Sequence, residues 1–146
     1  MDTESPGTPV EIHLETHITQ NDNVSSYVFD LNGQVIKMGN AVYIRYMEDD
    51  NKNGHPVPVT MKINNEGNIR LTRSGENKMQ MYFAEGKRIE ARYRTPYGIL
   101  PIETETPNLN VQYRDLPFRG NIKIDYNLLV GAKLLGQYKI RLQFTS

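Results

Sequence analysis

Apolar and polar residues alternate along most of this chain with a period of two. Near the C-terminus Tyr138, Ile140, Leu142 and Phe144 fall on one side and Lys139, Arg141 and Gln143 on the other. Side chains that leave on alternate faces mark an extended strand with one face seeking a core and the other water. The same parity sets Ile122, Ile124, Tyr126 and Leu128 against Asn121, Lys123, Asp125 and Asn127. It sets Val10, Ile12, Leu14, Thr16 and Ile18 against Glu11, His13, Glu15 and His17, and it recurs over residues 42–46, 57–63, 79–83 and 89–93. No window of about 12 residues carries the i, i+3, i+4, i+7 spacing of an amphipathic helix.

Turn residues punctuate these combs at short intervals: Asn32-Gly33, Gly39-Asn40, Asn64 to Gly67, Ser74-Gly75, Glu85-Gly86, Pro96 to Gly98, Arg119-Gly120 and Gly131. Such residues reach positive φ or preset a bend at little cost, so they predict hairpins between sequential strands. A meander of hairpins that closes on itself leaves no edge open to aggregation. The expected fold is therefore all-β: an antiparallel up-and-down barrel of eight to ten strands with little or no helix. Residues 1–8 read as a tail and 9–146 as one domain. Two stretches break the pattern, 49–58 and 107–118, and both are expected to be irregular connections. A two-sheet sandwich has the same alternation and is the competing architecture.

The totals narrow the function classes. There is no cysteine, which excludes thiolate catalysis, disulfides and Cys-ligated metal. Seventeen basic and seventeen acidic residues cancel, so the whole molecule lacks the strong positive field of a general nucleic-acid or membrane-surface binder. The halves differ, with four basic and ten acidic residues in 1–66 against thirteen and seven in 67–146. Mutual attraction between the two halves of one barrel accounts for that asymmetry. No apolar run approaches the roughly 20 residues of a membrane span, and the N-terminus has no signal-peptide pattern. A soluble cytoplasmic protein without a membrane role is expected.

Catalytic and metal motifs are missing. His13 and His17 share a strand face, but four residues of strand place their Cα atoms roughly 13 Å apart, too far for one zinc ion. His55 precedes a proline in the first irregular stretch. Glu103 and Glu105 lie two apart on one polar face, the ordinary arrangement of solvated acids. Ser74 has no base nearby in sequence. There is no P-loop, dinucleotide fingerprint or nucleophile elbow. The sequence thus points to no catalytic residue, cofactor or metal site; a non-enzymatic role is expected, with an enzyme assembled from side chains distant in sequence as the third reading.

The inward comb carries more than oil. By parity Tyr27, Tyr46, Tyr93, Tyr126 and Tyr138 point with the aliphatics, and Arg73 shares the parity of Ile69 and Leu71. Phenols and a guanidinium inside a barrel require partners. With the adaptable side chains of Met61, Met79 and Met81 they suit a partly polar pocket for a small molecule. Arg73, Tyr93, Tyr126, Tyr46 and Met81 are the candidate ligand-binding residues. On the outward comb Lys87, Arg88, Arg92 and Arg94 form a basic strand, with Arg70, Lys78 and Tyr82 on neighbouring strands and Glu90 between them. Arg88, Arg92 and Arg94 are the candidate interaction face for an acidic protein or RNA partner.

Residues 71–98 carry a more specific pattern: Leu71-Thr72-Arg73-Ser74-Gly75, then Met79-Gln80-Met81-Tyr82-Phe83 and Gly86, then Tyr93-Arg94-Thr95-Pro96-Tyr97-Gly98. With the late strand end from Tyr126 to Gly131, this order resembles the YwiB-like family of uncharacterised bacterial proteins. The resemblance implies a calycin-like β-barrel, the broad lipocalin-type architecture, and carries over no substrate or catalytic residue. The chain has no tryptophan, and so lacks the Gly-x-Trp signature of secreted lipocalins.

Overall fold

The structure, a computed structural model, describes residues 7–49, 56–75, 77–115 and 117–146. Ten strands follow one another, with no helix among the described residues: β1 (Thr8–Gln20), β2 (Asn23–Met38), β3 (Ala41–Asp49), β4 (Pro56–Ile63), β5 (Ile69–Ser74), β6 (Lys78–Phe83), β7 (Arg88–Thr95), β8 (Gly98–Asp115), β9 (Phe118–Val130) and β10 (Lys133–Thr145). Each pairs antiparallel with its sequence neighbours, and β10 returns to β1, so the meander closes into a barrel rather than a sandwich. All odd-numbered strands run towards one end. At that end, the upper rim, the β1–β2, β7–β8 and β9–β10 hairpins turn, β3 and β5 finish, and β4 and β6 begin.

The inward comb fills the barrel. Ile12, Ile44, Met61, Ile124, Leu142 and Phe144 are each no more than 2% exposed, and the apolar cluster runs without interruption from wall to wall. Burial of this kind, at roughly 25 cal/mol per Å² of apolar surface, drives closure. One glycine makes a close contact possible. Gly120 lies opposite Phe144 in the ladder, and a Cβ there would come within 2.6 Å of the Phe144 ring and 2.7 Å of the Gln112 carbonyl oxygen. The ring lies against bare backbone.

The second irregular stretch is a strand instead. β8 runs unbroken through residues 107–115, with one register shift between Glu105 and Asn108. Before it Ile102, Thr104 and Thr106 are buried; after it Leu109 and Val111 pack on the core. The inward parity changes from even to odd across the shift, which hid the strand from a period-two reading. Pro107, with no N–H to give the ladder, sits at this bulge. Of the first irregular stretch, residues 50–55, including His55, lie outside the described residues, and so do residues 1–6 of the expected tail. Pro56 already belongs to β4, and Thr8 to β1.

The wall opens in a seam between β6 and β7. β6 and β7 pair only from Lys78 and Arg94 to Gln80 and Arg92, and part below that. Thr104 of β8 spans the gap, its hydroxyl donating to the Tyr82 carbonyl at 2.6 Å. Gly86 N–H donates to the Thr106 carbonyl at 2.7 Å. A buried threonine in place of an aliphatic therefore satisfies a carbonyl that has lost its ladder partner.

Candidate functional site

Two regions gather the residues that carry chemistry, one inside the upper rim and one on the outer wall. Inside, register brings Tyr46, Val59, Arg73, Met79 and Tyr93 into a single row across β3 to β7. The Arg73 guanidinium donates to the Glu48 carboxylate at 2.8 Å. Glu48 has the same inward parity as Tyr46, a sign that could have revealed the pair from sequence. Arg73 Nε is buried without a hydrogen-bond partner among the described residues.

Tyr46 and Tyr126 are each 5% exposed. Burial pushes both phenols well above their ordinary range; Glu48 adds to this for Tyr46 and the Tyr138 hydroxyl for Tyr126, while Arg73 opposes both. The two side chains thus stay neutral hydroxyls at any physiological pH. Tyr126 stacks on Tyr138 with centroids 4.8 Å apart and leans on Phe83 at 4.7 Å. Tyr93 is half-buried on the core's edge. Met81 lies one row further down, paired with Leu71 in the core. Tyr27 keeps the inward parity, opposite Thr16, but is 48% exposed because the β1–β2 hairpin rises past the barrel. It lines no interior.

On the outer wall the register aligns three rows. The lowest reads Tyr43, Lys62, Arg70, Tyr82 across β3 to β6. Above it come Arg45, Thr60, Thr72, Gln80 and Arg92, then, past the end of the β4–β5 ladder, Met47 beside Pro58 and Ser74 beside Lys78 and Arg94. With strands about 4.8 Å apart and rows about 7 Å apart, the patch is roughly 19 Å by 14 Å. No Asp or Glu occupies these positions, and no carboxylate among the described side chains holds any of its six cations. Arg45 and Lys62 lie instead over the Tyr43 ring, at 5.9 and 5.8 Å from its centroid.

Several other outward charges are paired. Arg88 donates to Glu103 at 2.8 Å, which separates it from Arg92 and Arg94 although all three share one face of β7. The pair with Glu103 holds its guanidinium at the margin of the patch, towards β8. Arg141 makes a charge contact with Asp125 at 2.9 Å. His13 Nδ1 lies 2.7 Å from Asp30 and His17 Nδ1 2.8 Å from Ser26, which accounts for both as surface residues. The Asp30 hydrogen bond raises the His13 pKa above its usual value. Glu105 accepts from Asn127 at 3.2 Å, so the two β8 acids serve structural contacts.

Two grooves open onto the basic wall. One, of about 280 Å³, lies at the β6–β7 seam, with Lys62, Arg70 and Tyr82 around it and Phe83, Ala84 and Ile89 beneath. A smaller one of about 100 Å³ runs between Lys78, Gln80, Arg92, Arg94 and Ile99. A larger hollow, of about 480 Å³, sits elsewhere, among Glu11, His13 and Asp30. No group of His, Asp or Glu among the described residues is placed to hold a metal ion.

Residues 12–142 match the family model described as a domain of unknown function, DUF1934. The chain belongs to the DUF1934 family. A curated relative, the uncharacterised β-barrel protein YwiB of Bacillus subtilis (strain 168), is 28% identical over 124 residues, spanning 85% of this chain and 84% of that protein. The crystal structure of the ywiB protein from Bacillus subtilis superposes with a TM-score of 0.81 at 25% identity, over 95% of this chain and 92% of that one. The YwiB-like resemblance of residues 71–98 is thereby established for the whole domain, and the DUF1934 barrel is the frame on which both candidate regions sit.

Proposed function

We propose that the protein binds single-stranded RNA on the outer wall formed by β3 to β7. The reading rests on one observation: six cations without carboxylate partners among the described residues, aligned with two tyrosines in rows whose paired positions hold no acid, Glu90 lying just beyond them below Arg92 on β7. Arg88 and Arg141, outside these rows, are neutralised by Glu103 and Asp125. Unpaired guanidinium and ammonium groups follow a phosphate backbone by releasing its counterions. Tyr43 and Tyr82 close the lowest row at either end, where exposed bases could stack; a duplex hides its base faces, so the single strand is the better partner. A cytoplasmic location belongs to this reading.

Fluorescence anisotropy with a labelled single-stranded oligoribonucleotide tests it. Binding should weaken with salt along a log–log slope of about −3, as contact with about four phosphates requires, and a duplex of the same sequence should bind more weakly. Equal binding of an acidic peptide, without preference for the oligonucleotide, would reassign the wall to a protein partner.

A second reading keeps the barrel interior. The buried Arg73 Nε, without a partner among the described residues and beside the Tyr46 and Tyr126 hydroxyls, favours a small polar molecule at the upper rim, as the calycin-like affiliation suggests by analogy. Native mass spectrometry of protein from its own host should then show a retained mass that Arg73→Met loses. Protein that is repeatedly empty would count against this site.

A further inference from the structure

β2 is laddered to β1 along its length from Asn23 to Val35, yet to β3 only from Gly33 to Met38. Residues 23–32 therefore stand as a raised wing whose outer edge pairs with no described strand. The phase of that edge follows from the turns. Gln20 and Asn23 flank a two-residue turn in which Asn21 and Asp22 both have positive φ, 48° and 65°, the type I′ geometry that makes the flanking residues a hydrogen-bonded pair. Alternation from there directs the N–H and C=O of Val24, Ser26, Val28, Asp30 and Asn32 away from β1. The β2–β3 hairpin gives the same phase, because Met38 and Ala41 flank its two-residue turn and assign the even-numbered residues to the β3 side.

Exposed edges of this length are normally blunted by lysine, proline or a bulge. Between Asn23 and Asn32 there is no lysine and no proline, and Asp30 is the one charge. The wing instead exposes apolar side chains: Val24 at 68%, Val28 at 55%, Tyr27 at 48% and Phe29 at 37%. We infer that β2 pairs edge to edge, antiparallel, with β2 of a second copy of this chain, on a two-fold axis through Val28.

That register uses every outward residue. Val28 meets Val28 of the copy, Ser26 meets Asp30 and Val24 meets Asn32. On the inner face Tyr27 lies against Phe29 twice, an aromatic cross-strand pair. Asp30 faces a serine rather than another Asp30, so the one charge is not opposed by its like. A two-fold pairing occupies both open edges at once and closes the assembly at two.

The test is light scattering coupled to size exclusion over a micromolar concentration series, on the full chain and on Val28→Pro. Proline removes an N–H that faces away from β1, so the barrel keeps its own ladder. The wild type should run at twice the 16.8 kDa chain mass and Val28→Pro at the chain mass, with unchanged circular dichroism. Should the proline variant fail to fold, Val28→Lys places a charge on the same edge and should also run as a monomer. Hydrogen exchange gives an independent reading: the Ser26, Val28 and Asp30 amides should be protected at high concentration and exposed on dilution. A wild type that stays monomeric throughout, a dimer that survives both variants, or open-ended assembly would overturn the inference.

Discussion

Truncating Phe144 to alanine is expected to destabilise the barrel by about 3–5 kcal/mol in urea denaturation, the range for a buried aromatic in a packed core. The side chain is 1% exposed and sits in β10, the strand that closes the barrel against β1 opposite Ile12. Its loss leaves a hole where two walls meet, and the strand cannot collapse into it without breaking register on both sides. Gly120→Ala attacks the same contact from the other face and should cost about 1–3 kcal/mol by overpacking. Combined, the two should not add. The ring clash disappears with the ring, but the Gln112 carbonyl at 2.7 Å remains, so Gly120→Ala keeps part of its cost in the Phe144→Ala background.

Reversing Arg70, Arg92 and Arg94 to glutamate together should weaken single-stranded RNA binding by at least about 100-fold at moderate salt. Each change removes a phosphate contact and introduces repulsion, and the salt slope should flatten by about two to three. Arg88→Gln is the matched control. Arg88 belongs to the same strand face but is committed to Glu103, so binding should stay within about threefold. Equal losses from both variants would mean that general charge rather than the arrangement of the wall governs binding.

Local alternation made most of this fold legible. The cores of β9 and β10, residues 121–128 and 138–144, could be placed because their inward side chains are apolar or aromatic and their outward ones polar; both strands run further, to Phe118–Val130 and Lys133–Thr145, where Leu129 and the register shift at Leu134 blur the comb. β8 was not legible past Thr106, because one extra residue at Pro107 inverts the parity and makes a good strand read as a loop. Tyr27 shows the opposite failure: its parity is right, yet parity says nothing of how far a hairpin overshoots the barrel. The candidate sites divide along the same line. Arg73, Tyr46 and Tyr93 could be grouped from sequence because they share the inward comb, and the register sets them in one row. Arg45, Lys62 and Tyr43 joined the basic wall only through pairing, since they lie in the acidic half of the chain. Arg88 left it for an equally non-local reason, its partner Glu103 being fifteen residues away. The open edge of β2 had no sequence signal beyond the absence of the usual guards.

The proposed working surface is the outer wall of β3 to β7 rather than the barrel interior. Amide chemical-shift changes during titration with a single-stranded oligoribonucleotide test this most directly. They should cluster at Tyr43, Lys62, Arg70, Tyr82, Arg92 and Arg94, and leave Tyr46, Arg73 and Tyr126 unmoved. Shifts confined to the upper rim, or none at all at saturating oligonucleotide, would contradict it.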